Sequence, residues 1–131
     1  MIDLVRGRER AVAANYTAYF RFINGNNSII TAPGAGKYIR VLGMQYGGSL
    51  TPAATQITYG FLLNVYGTTT QHLMTTCIGV TPRSVYASTV CNIRCKENTA
   101  VQCRRNGTSP TAGEIDAVVH YRIEDGYGVG P

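Results

Sequence analysis

The chain has 131 residues, 44% hydrophobic and 15% charged, with a formal net charge of +5. That balance fits one folded domain and excludes a disordered chain, which would carry more charge and fewer apolar residues. Val, Ile and Thr number 11, 10 and 15 against 6 Leu, with 9 Tyr, 15 Gly and 5 Pro; branched and aromatic residues punctuated by Gly and Pro build strands and turns, so a helix bundle is excluded as well.

Residues 1–13 carry Arg6, Arg8 and Arg10, show little alternation, and read as an N-terminal arm. They hold no apolar stretch of the kind a secretory signal needs, and no run in the chain approaches the ~20 apolar residues of a membrane-spanning helix. The domain itself is expected over 14–125, followed by a Gly-rich tail over 126–131. Period two begins at Tyr16: Tyr16, Ala18, Phe20 and Phe22 share a face opposite Thr17, Tyr19, Arg21 and Ile23. Asn24-Gly25 reads as a hairpin turn. A short strand over 28–31 leads to a tight turn at Ala32–Lys37. The strand from Lys37 to Tyr46 places Ile39 and Val41 on one face. Tyr38, Arg40, Leu42, Met44 and Tyr46 fall on the other. Gly47-Gly48 opens a loop. Further strands are expected over 55–66, with Gly60 as a bulge or bend, and over 72–80, 85–96 and 99–104. In the last, over 113–124, Ile115, Ala117, Val119, Tyr121 and Ile123 oppose Asp116, Val118, His120 and Arg122. About eight strands at this spacing predict an all-β antiparallel sandwich of the jelly-roll type.

Ten of the twelve basic residues are Arg. Arg suits fixed pairing with carboxylates across an interface, whereas Lys is the usual solubilising charge. Arg6, Arg8 and Arg10 are therefore candidate partner-binding residues. A second basic cluster comprises Arg94, Lys96, Arg104 and Arg105. No aromatic platform or nucleic-acid motif accompanies either cluster. Tyr and Arg are enriched at protein interfaces, which makes Tyr38, Arg40, Tyr46, His120 and Arg122 candidate subunit-interface residues.

Catalytic signals are weak. Gly34-Ala35-Gly36-Lys37 resembles part of a phosphate loop, but Tyr38 stands where a Ser or Thr should follow, and a strand follows instead of a helix. Neither His72 nor His120 falls in a hydrolase motif. Cys77, Cys91, Cys95 and Cys103 include one C-x₃-C spacing without a second close pair. Buried thiols are the plainest reading; a disulfide or a metal site stays open, because four Cys allow three pairings.

The stretch Ser28–Leu42, with its APGAGK turn and IRVL strand, resembles a segment of small β-sandwich proteins of tailed bacteriophages. Ile115–Ile123 is similar to their closing strand, and the resemblance spans about residues 24–124. It implies a non-enzymatic virion structural protein, made in the host cytoplasm and carried in the particle. The resemblance points to a capsid decoration (cement) protein, a homotrimer on the outer surface of the major capsid protein. The alternative it implies is a tail, baseplate or fibre module that binds another virion protein or a host glycan. Neither version calls for a cofactor, metal, nucleic acid, membrane or small-molecule substrate.

Overall fold

The computed structural model describes residues 15–53, 56–65, 67–107 and 110–125. The expected arm, with Arg6, Arg8 and Arg10, and the tail over 126–131 lie outside the described residues.

Eight strands follow in order: β1 (Tyr16–Arg21), β2 (Gly25–Ile30), β3 (Lys37–Thr51), β4 (Gln56–Val65), β5 (Thr68–Ile78), β6 (Arg83–Arg94), β7 (Val101–Asn106) and β8 (Ala112–Asp125). They form two four-stranded sheets, ordered β1-β8-β3-β6 and β2-β7-β4-β5, with every pairing antiparallel. Only β4 and β5 make a hairpin within one sheet; every other connection crosses between sheets. That is the jelly roll predicted from the strand count.

Two expectations change. Asn24-Gly25 does not close a hairpin, because β1 pairs with β8 while β2 pairs with β7. The chain crosses sheets there. The crossing is fixed by Phe22, whose N–H donates to the Ile115 carbonyl and whose ring is buried between the sheets. Gly47-Gly48 does not open a loop either, since β3 runs on to Thr51. Gly48 has φ +154, and a Cβ there would overlap the Glu114 carbonyl. Gly113 of the neighbouring strand has φ +76, and its Cβ would overlap the Ser49 carbonyl. The missing side chains let β3 and β8 stay paired to their ends.

The core depends on an irregularity in β3. Its register shifts between Val41 and Gly43 against both β6 and β8. Ile39 and Val41 face inward before the shift, and Met44, Tyr46 and Leu50 face inward after it. Tyr46 therefore cannot serve as the expected subunit-interface residue: it is 1% exposed. Simple alternation places Tyr46 with Arg40, but the extra residue at the bulge reverses the face of everything that follows.

Tyr46 packs in an aromatic cluster. The Phe22 ring meets Tyr46 and Tyr59 edge-on at 5.6 and 5.0 Å, and Phe61 lies 5.8 Å from Tyr46. The Tyr46 hydroxyl is 2.5 Å from both the Leu73 carbonyl and Thr75 Oγ1. Leu73 sits at φ 54 where β5 slips register against β4, near Gly60. Gly60 lies at that register shift, where the sequence places a bulge or bend, and Met74 lies over it: a Cβ there would overlap the Met74 sulfur.

Gly113→Ala is expected to destabilise the fold by about 2 kcal/mol, from backbone strain and the clash with Ser49. Gly43→Ala meets only ordinary contacts and should change stability by less than about 0.5 kcal/mol. Paired denaturant melts of the two variants check this difference.

Candidate functional site

The outer face of the β1-β8-β3-β6 sheet gathers the polar side chains that alternation turns away from the core. Arg122 of β8, Arg40 of β3 and Arg94 of β6 are direct cross-strand partners, so three arginines stand side by side in one row. Like charges opposite one another repel. Glu124, two residues along β8 from Arg122, relieves part of this. Arg40 Nε donates to its two carboxylate oxygens at 2.9 and 2.8 Å, and Arg122 Nε donates to Oε2 at 2.9 Å. Arg40 Nη1 donates to Asn92 Oδ1 at 2.8 Å. Arg40 and Glu124 are only 8% and 6% exposed. Burial alone would push the Glu124 carboxyl up, but the hydrogen bond and charge of Arg40, joined by Arg122, hold it below the usual carboxylate range.

Arg94 has no such partner among the described residues. Its guanidinium lies 3.9 Å from the centre of the Tyr38 ring, and its buried Nε has no hydrogen-bond partner among the described residues. Beside it, Tyr38, Asn92, Ile93, Arg94, Lys96 and Val65 line a groove of about 610 Å³. Lys37 pairs with Asp125 at 3.3 Å at the same end of the sheet.

The middle of this face is shallow and mixes apolar side chains with Thr17, Gln45, Ser88 and His120. Gly43 and Gly47 leave the central strand without side chains there, and the His120 and Tyr86 rings lean over them. Val90 is 94% exposed and Tyr86 74%; Tyr19 is exposed on β1. His120 Nδ1 lies 3.2 Å from Thr17 Oγ1, at the edge of a hollow of about 500 Å³ that Val90 and Leu42 also line. At the far end, Arg21 Nε lies 2.7 Å from Glu114 and 2.8 Å from Asp116.

Four of the five expected interface residues thus share this face: Tyr38, Arg40, His120 and Arg122. Arg40 is bound into the buried network, so it positions Glu124 and Asn92 more than it presents a charge. The second basic cluster disperses. Arg94 and Lys96 remain near one another. Arg105 instead turns into the core, where its Nη1 donates to the Phe22 carbonyl at 3.4 Å. Arg104, its neighbour in β7, takes the opposite face of the β2-β7-β4-β5 sheet. Val90, Tyr86 and Asn92 were not singled out by sequence. Their signal is the strict alternation of β6, whose even-numbered residues all point outward.

The turn before β3 is structural, as expected. The Gly34 and Gly36 N–H groups donate to Asn98 Oδ1 and Glu97 Oε2 at 2.9 and 2.8 Å. Strands lie on both sides of it. The cysteines are all free thiols, with Cys77, Cys95 and Cys103 buried. Burial pushes the Cys95 thiol up to about 11 and the Cys103 thiol up to about 12. No cluster of three or more His, Cys, Asp or Glu suited to a metal occurs among the described residues.

Two outcomes are expected. Glu124→Gln leaves the Arg40 charge buried without its carboxylate and should cost about 3 kcal/mol at pH 7. Because the folded carboxyl is depressed, the native contribution is present above the unfolded carboxylate pKa. It fades as pH falls through the lower folded value. Urea melts from pH 7 to pH 3 should show a flatter acid limb in the variant. Secondly, the buried thiols Cys77, Cys95 and Cys103 should resist a disulfide reagent at pH 8, and all four cysteines should react once the chain is unfolded in guanidinium. The chain matches no protein-family model, and the search of curated proteins finds no match to it.

Proposed function

We propose that this protein is a bacteriophage virion structural protein, a capsid decoration (cement) protein that binds the outer capsid surface as a homotrimer and stabilises it. The phage assignment rests on the resemblance of Ser28–Leu42 and Ile115–Ile123 to small phage β-sandwich proteins. The observation that supports an assembly role is the outer face of the β1-β8-β3-β6 sheet. Val90, Tyr86 and Tyr19 stand exposed around a trough emptied by Gly43 and Gly47. Apolar and aromatic surface concentrated in one place is unfavourable in water and gains most by being covered with protein. A charge of +5 also steers the chain toward an acidic surface.

The exposed rings of Tyr19 and Tyr86 favour a second reading, a tail, baseplate or fibre module on which a glycan ring could stack. Position in the particle separates the two.

Mass spectrometry and cryo-electron microscopy of purified virions test both. The decoration reading expects the chain on the capsid, in a copy number that tracks the major capsid protein, and a trimer by light scattering. Val90→Lys should weaken attachment without lowering the melting temperature of the isolated chain, because Val90 makes almost no internal packing. A chain absent from particles, or found only on the tail, overturns the decoration reading.

A further inference from the structure

The row formed by Arg122, Arg40 and Arg94 is one carboxylate short. Glu124 serves Arg122 and Arg40 together, and among the described residues Arg94 is left with the Tyr38 ring as its only neutralising contact. A cation over a ring recovers less than a charge-assisted hydrogen bond and leaves the in-plane N–H groups unused. Lys96, exposed on the rim of the same groove, has no carboxylate within ion-pair distance among the described residues. The apolar part of the lining includes Val65 and Ile93.

We infer that this groove is a docking site for an acidic segment of a partner polypeptide, one that presents an Asp or Glu carboxylate beside an apolar side chain. The carboxylate would take the place at Arg94 that Glu124 takes at Arg40, with Lys96 adding charge. The apolar neighbour would lie against Val65 and Ile93. Charge complementarity decides the class of partner. A nucleic-acid backbone needs a continuous track of cations. Here, among the described residues, only Arg94 and Lys96 are uncommitted cations of the lining, and the Tyr38 face is already covered by Arg94. Two neighbouring cations fit a single carboxylate and give no continuous track for a chain of phosphates. This site gives the proposed capsid contact its chemistry, and only in naming the partner does it rest on the virion reading.

The test is a heteronuclear NMR titration of the full-length chain with the synthetic peptide acetyl-Leu-Glu-Leu-amide. Acetyl-Leu-Gln-Leu-amide, inorganic phosphate and a single-stranded oligothymidylate serve as comparisons. The expected result is saturable shifts confined to Tyr38, Asn92, Arg94, Lys96 and their neighbours with the Glu peptide. The Gln peptide should bind about tenfold more weakly. Arg94→Gln should reduce affinity for the Glu peptide about tenfold, and Arg104→Gln, on the other sheet, should leave it unchanged. If Arg94→Gln unfolds, Lys96→Glu provides the same comparison from an exposed position. Equal binding of the Glu and Gln peptides, shifts centred elsewhere, or phosphate or oligothymidylate binding as tightly as the Glu peptide would each overturn the proposal. The virion experiment is independent of this one. Peptide binding by a chain absent from particles overturns only the virion reading, whereas a chain present in particles that does not bind the peptide overturns only the groove.

Discussion

The bulge at Leu42 is the constraint on which the rest of the molecule depends. β3 is the longest strand and lies between β8 and β6, so its facing decides what both neighbours can meet. A regular strand that buried Ile39 and Val41 would turn Tyr46 to solvent. The extra residue brings Tyr46 inside, where its hydroxyl meets the Leu73 carbonyl and Thr75, in the other sheet. Leu73 in turn offers that carbonyl because β5 carries an irregularity of its own, with positive φ. Two local breaks, one in each sheet, thus meet across the core and are joined by one side chain.

The same bulge divides the outer face of the sheet. On its N-terminal side β3 presents Tyr38 and Arg40, and the partners from β8 and β6 are charged. On its C-terminal side β3 presents Gly43, Gln45 and Gly47, and the partners are His120, Val118 and Asp116 of β8 and Val90, Ser88 and Tyr86 of β6. A charged end and a glycine-hollowed middle of mixed polar and apolar side chains therefore follow from one change of register. The charged end is held by a buried carboxylate under two arginines. Such a pair contributes little net stability when compared with apolar side chains, but loss of either partner is costly. Its effect is positional: it fixes Arg40 and Asn92 and leaves Arg94 on Tyr38 at the edge of the groove.

Much of the fold was legible in the sequence. Period-two alternation from Tyr16 to Phe22 and from Ile115 to Ile123 grouped the residues by face correctly, because β1 and β8 alternate without interruption. Cys91, Ile93 and Cys95, two residues apart in the chain, likewise share the inward face. The errors fall where regularity fails. Gly47-Gly48 looked like a loop because Gly usually interrupts strands, yet here it allows close approach of two backbones. Asn24-Gly25 looked like a hairpin because the local signal for a turn does not say which sheet the next strand joins. Arg94 and Arg105 looked like one basic cluster because sequence distance hides the crossing between sheets.

The sequence by itself determined the class: β-branched and aromatic residues at period two, cut by Gly and Pro, can bury their apolar faces only as stacked sheets. It also determined most of the core, since alternation is a local property of the extended backbone. Tertiary structure alone decided the pairing partners, the reversal of facing at Leu42, and the row of Arg122, Arg40 and Arg94. These three are far apart in the chain, and a cross-strand row exists only once register is set. Register is fixed by packing and bulges over the whole sheet, which no short stretch of sequence contains.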